Sequence, residues 1–81
     1  MTITIRCFAT LRDCGPLDGR RITLSDGATA LEAWTALVAV WPGLAPWLAC
    51  VRPAVNQAYA PWRTPLRDGD ELALIPPVSG G

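Results

Sequence analysis

Only one stretch of this chain carries a helical period, and strand-like runs lie on both sides of it. Thr29-Ala-Leu-Glu32 is a capping box: the threonine hydroxyl accepts an N–H from the first turn while the glutamate reaches back to the cap residue. Leu31, Trp34, Leu37 or Val38, and Trp41 then recur on one helical face until Pro42-Gly43 stops the helix. Upstream, Thr2 to Leu11 has period two, with Ile3, Ile5, Cys7, Ala9 and Leu11 inward and Thr2, Thr4, Arg6, Phe8 and Thr10 outward. Gly15-Pro16 and Asp18-Gly19 supply turn chemistry, so Arg20 to Leu24 pairs with the first strand as a hairpin, Ile22 and Leu24 inward. Downstream, Leu44 to Cys50 suits a short turn of helix with Pro46 in its first position. Val51 to Asn56 reads as a third strand in which Pro53, lacking an N–H, implies an edge or a bulge. Ala58 to Trp62 is a short fourth strand, and after a turn at Arg67 to Asp70 the last strand is Glu71 to Ile75, with Leu72 and Leu74 inward. The order β-β-α-β-β-β has no βαβ alternation, which predicts an α+β fold with a mixed sheet packed on one main α-helix.

With 81 residues there is room for one small domain, and 51% apolar residues are enough to fold it. A chain of this size buries roughly 60–65% of its unfolded surface, leaving little depth for a water-excluded catalytic cavity. Seven arginines against seven carboxylates give no basic excess, so neither nucleic acid nor an anionic lipid surface is an expected partner. Histidine and lysine are absent, which removes the usual groups for proton transfer near neutral pH, imidazole metal ligation and Schiff-base chemistry. Cys7, Cys14 and Cys50 are odd in number and form no Cys-x-x-Cys pair, which disfavours a disulfide framework and a zinc site; no metal site is expected. Cys7 and Cys50 read as buried small hydrophobes, and Cys14, in a polar turn, as the exposed one. The first residues alternate like a strand and lack the apolar block of a signal peptide, so the expected location is the cytoplasm. Residues 33–51 are uncharged and long enough for a membrane span, but Pro42-Gly43 and Pro46 break the stretch and its tryptophans fall along its length, so no membrane is expected.

The domain therefore occupies residues 1–75, and residues 76–81 form an extended tail, Pro76-Pro77-Val78-Ser79-Gly80-Gly81. Two prolines favour an extended stem, and two glycines give a tip narrow enough to thread a channel. Such a tip suits a substrate: adenylation of the Gly81 carboxylate would make an acyl phosphate open to a sulfur or nitrogen nucleophile, and the chain a group carrier. Gly-Gly alone would more readily suit a frayed end.

Five blocks narrow this. Phe8-Ala-Thr-Leu-Arg12, Thr29-Ala-Leu-Glu32, Val55-Asn-Gln57, Leu66-Arg-Asp-Gly-Asp-Glu71 and the terminal Pro-Pro-Val-Ser-Gly-Gly, in that order, resemble the small subunits of molybdopterin synthase, the MoaD-like branch of the ubiquitin-like sulfur carriers. Pro53 and the Trp- and Pro-rich segment 41–48 depart from the family pattern. The resemblance implies a β-grasp fold with Gly81 as the reactive end. An E1-like adenylyltransferase would adenylate it using ATP, and a sulfurtransferase or persulfide donor would convert it to a thiocarboxylate. Pro76, Pro77, Val78, Ser79 and Gly80 would thread it into the large synthase subunit, in a heterotetramer that turns cyclic pyranopterin monophosphate into molybdopterin. The catalytic residues would belong to the large subunit, and no cofactor would be held permanently. Two other carriers end in the same way: a thiamine-thiazole sulfur carrier, which usually lacks the Pro-Pro, and a ubiquitin-like protein modifier.

Strand parity separately places Phe8 and Ile75 on the outward face near the tail, and Tyr59 joins them as a candidate partner interface. Arg12 and Arg67 read as solvated side chains.

Overall fold

The computed structural model describes residues 1–7 and 19–76. Strand β1 (Thr2–Cys7) places Ile3 and Ile5, at most 1% exposed, against the core, and β2 (Arg21–Thr23) pairs antiparallel to it with Ile22 opposite Ile3. Helix α1 (Ala30–Val40) begins as its capping box requires: the Glu32 N–H donates to Thr29 Oγ1 and the Thr29 N–H donates to Glu32 Oε1, each at 3.2 Å. It stops because Pro42 has no N–H to continue the ladder, the last bond being Trp41 N–H to the Leu37 carbonyl at 2.7 Å. A 3₁₀ helix follows over Pro42–Trp47, with Pro42 rather than Pro46 in its first turn, and its Leu44 plugs the core at 2% exposure.

Strands β3 (Arg52–Val55), β4 (Ala58–Tyr59) and β5 (Glu71–Ile75) complete one sheet in the order β2-β1-β5-β3-β4. β1 and β5 run parallel at its centre, and the other pairs are antiparallel. One face of this sheet packs on α1 through Ile3, Ile5, Trp34, Leu37, Leu72 and Leu74. Trp62 meets Trp34 edge-on, with ring centroids 5.5 Å apart. The mixed five-stranded sheet on one main helix is the β-grasp arrangement of ubiquitin-like proteins.

Several expectations need correction. Leu31, assigned to the buried helix face, is 41% exposed, because Ala30, Ala33, Trp34 and Leu37 set the phase of that face. Cys50, expected in the core, is an exposed free thiol in the turn after the 3₁₀ helix. Cys7 is half-buried and disulfide-bonded, against the reading that disfavoured disulfides; Cys14 lies outside the described residues. Pro53 is neither at an edge nor in a bulge: it is buried, pairs with Leu74, and β4 forms the edge. Its carbonyl accepts the Ala60 N–H at 3.1 Å, so its N–H-less nitrogen points the same way, just past the end of the two-residue β4. The missing donor thus shortens β4 and leaves the β3–β5 ladder whole. Pro76, assigned to the extended tail, is buried.

Candidate functional site: the outer face of the sheet

Among the described residues no helix covers the face of the sheet turned away from α1, and register decides what it displays. Parity sends Arg6 of β1, Glu71, Ala73 and Ile75 of β5, Arg52 and Ala54 of β3 and Tyr59 of β4 to this side. Arg6 lies beside Ala73, Ala73 beside Ala54, and Ala54 beside Tyr59, so one row crosses four strands; Ile75 and Arg52 form the next. Ala54 and Ala73, 3% and 4% exposed, are the floor, because their methyl groups fill nothing above the backbone. Taller side chains wall them: Arg6 on one side, Tyr59 on the other, Glu71 and Gln57 at one end and Ile75 at the end nearest the tail. The result is a shallow depression of about 460 Å³. A second groove, about 390 Å³, continues from Tyr59 and Arg52 past Pro53 to Trp62.

The β3–β4 turn is fixed against the start of β5. Asn56 Nδ2 donates to Asp70 Oδ1 and the Glu71 N–H donates to Asn56 Oδ1, both at 2.9 Å. The Asn56 N–H donates to the Glu71 carbonyl at 2.8 Å, and Asp70 Oδ2 also accepts the Arg67 N–H at 2.8 Å. The block Leu66 to Glu71 and the pair Asn56-Gln57 are therefore one assembly.

Chemically, the depression has the make-up of a binding surface. It offers an apolar floor, an exposed phenol, a carboxylate and a guanidinium. Among the described residues no group of three or more His, Cys, Asp and Glu side chains is placed to hold a metal, and no helix is long and apolar enough to cross a membrane. Tyr59, 64% exposed, and Ile75, half-buried, line this depression together. Phe8 and the tail residues Pro77, Val78, Ser79, Gly80 and Gly81 lie outside the described residues. Sequence reasoning missed Ala54, Ala73, Glu71 and Gln57. Parity alone assigns the two alanines to a face, but the β5–β3 register that makes them a common floor leaves no mark in the sequence.

A family model described as the ThiS family matches residues 5–81. The chain belongs to the ThiS family. Among relatives of this ThiS-family chain, the molybdopterin synthase sulfur carrier subunit of Chlamydomonas reinhardtii is 34% identical over the whole of both chains. Among solved structures, SAMP1 of Haloferax volcanii, a small archaeal modifier protein, superposes with a TM-score of 0.86 at 29% identity over the whole of both chains. The complex of subunits 1 and 2 of the molybdopterin-converting factor from Helicobacter pylori contains a chain matched at a TM-score of 0.70 and 30% identity, again over the whole of both.

Proposed function

We propose that this ThiS-family chain is the sulfur carrier of a molybdopterin synthase and that Gly81 is its reactive end. The observation that carries the reading is full-length identity of 34% to a molybdopterin synthase sulfur carrier subunit, reaching through the Pro-Pro-Val-Ser-Gly-Gly segment. The fold supports it: β5, the strand leading to that segment, is held between β1 and β3, so the body is a rigid handle for a narrow tip. In the first step the Gly81 carboxylate attacks the α-phosphorus of ATP on an E1-like adenylyltransferase, and pyrophosphate leaves. The terminal sulfur of a persulfide, carried by a sulfurtransferase or another donor, then attacks the acyl carbon and AMP leaves; a second thiol of the donor cleaves the resulting acyl disulfide, leaving a thiocarboxylate on Gly81 and a disulfide on the donor. No ATP or other cofactor stays on the carrier.

The partner is a large synthase subunit that supplies the catalytic residues, as the H. pylori pair of subunits suggests. The outer sheet face docks it through Tyr59, Ile75 and Phe8, and residues 77–81 enter its active site, where the sulfur passes to cyclic pyranopterin monophosphate. All of these steps take place in the cytoplasm. A second reading, protein modification through Gly81, is favoured by the likeness to SAMP1.

Mass spectrometry of the C-terminal peptide tests the proposal, after incubation with ATP, an E1-like adenylyltransferase and a sulfur donor. A thiocarboxylate on Gly81, absent from a chain lacking Gly81, is the expected result. An unmodified tail, with the activating enzyme proven on its own carrier, would refute it. A Gly81-to-lysine isopeptide with target proteins, and no transfer to the pterin, would select the modifier reading.

A further inference from the structure

The outer-face depression has one wall residue held in a conformation that its side chain does nothing inside the chain to justify. Among the described residues, five have positive φ: Gly19, Gly27 and Gly69, where a side chain is absent, and Asn56 and Gln57 at φ 51° and 72°. Asn and Gly are the usual occupants of such a two-residue hairpin turn, with Gly favoured at the second position, where Gln57 stands. Asn56 is compensated, since its carboxamide makes the hydrogen bonds to Asp70 and Glu71. The exposed Gln57 side chain has no hydrogen-bond partner among the described residues. It lies instead on the rim of the depression, beside Tyr59 and Glu71, and also borders the small notch between Asn56 and Glu71.

Resting on the reading that this face docks the large synthase subunit, we propose that Gln57 is a recognition residue whose carboxamide pairs with main-chain peptide groups of that partner. Strain kept in a sparsely populated backbone region is expected where the residue serves a binding role that a relaxed residue cannot. A carboxamide carries one acceptor oxygen and two N–H donors, the complement that matches a peptide group. Charged groups of the partner have Glu71 on the same rim to meet them.

The test compares Gln57→Gly and Gln57→Ala with the wild-type chain, measuring thermal unfolding and affinity for the purified large subunit of molybdopterin synthase. Gln57→Gly relaxes the backbone and removes the carboxamide, so Tm rises by about 4 °C or more while affinity falls about tenfold. Gln57→Ala keeps the strained backbone and loses the carboxamide, so affinity falls similarly and Tm does not rise. Unchanged affinity in both variants overturns the inference, as does a Gln57→Gly chain that is no more stable than wild type. Tyr59→Ala and Ile75→Glu separate this failure from a wider one. If they weaken binding while the Gln57 variants do not, only the role of Gln57 falls; if all four bind as wild type, docking through this face falls, and the role of Gln57 with it.

Discussion

Replacing Asn56 tests whether the β3–β4 turn and the start of β5 are one assembly. In Asn56→Ala two side-chain hydrogen bonds are lost, to Asp70 and from the Glu71 N–H, both at 2.9 Å and both exposed. Each contributes roughly 0.5–1.5 kcal/mol net, and exposure puts these toward the lower half, about 1–2 kcal/mol together. Alanine must also adopt the φ of 51° that asparagine tolerates, which adds about 1 kcal/mol. The expected loss is about 2–3 kcal/mol, against roughly 4–12 kcal/mol for a domain of this length. That lowers Tm by roughly 10–20 °C. Asn56→Gly loses the same bonds without the backbone penalty and should be about 1 kcal/mol more stable than Asn56→Ala. Urea unfolding followed by tryptophan fluorescence measures both, with an unchanged m-value confirming that the unfolding transition is the same. If the alanine and glycine variants were equally stable, the positive-φ account would be wrong; if both stayed within about 0.5 kcal/mol of wild type, the turn would not be tied to β5 at all.

Other consequences can be checked in the same chain. Thr29→Ala removes the acceptor for the Glu32 N–H and should lower stability by about 1 kcal/mol in the same urea experiment, with increased hydrogen exchange in the first turn of α1. Leu37→Ala, at a site 1% exposed, should lose about 2–5 kcal/mol and leave the domain close to unfolding at 37 °C, as circular dichroism would report. Trp62→Leu removes the edge-on contact with Trp34, worth about 0.5–1.5 kcal/mol beyond the area lost, and should change the environment of Trp34 seen in its fluorescence. Cys50, exposed and free, should react with a thiol reagent in the folded state; Cys50→Ser should abolish that labelling and change stability by no more than about 0.5 kcal/mol.

How much of this could be read from the chain depends on the range over which each signal acts. The capping box at Thr29 and Glu32 and the bounds of β5 rest on residues a few positions apart, and both stand as expected; β1 and β2 also pair antiparallel as expected, although Thr2 and its partner Thr23 are 21 positions apart. Helix phase was misjudged at Leu31 because large apolar residues drew the reading. Ala30 and Ala33, each 0% exposed, define the contact stripe by letting the backbone approach the sheet, and an alanine carries little hydrophobic weight. Pro53 signalled a lost hydrogen bond correctly, but which neighbour loses it depends on which way its nitrogen points, and that follows from long-range pairing. Cys50 ends an apolar run, 44–50, in which Leu44 alone is buried, and it lies in a turn, where no period applies. For the site, parity turned Ile75 outward, while the floor of Ala54 and Ala73 needed the register between β5 and its neighbours.

The central place of β5 has a mechanical consequence. A tip drawn into a narrow channel pulls on its carrier, and here the traction would enter the body along the axis of a strand flanked on both sides. Because β1 runs parallel to β5 and β3 antiparallel, that load is shared by two rows of hydrogen bonds stressed in shear, so several must yield together, whereas an edge strand peeled sideways gives way one bond at a time. On the proposed reading the body would stay folded while partners grip and release its tip, and single-molecule pulling should find the chain stiff along β5 and weak across β4.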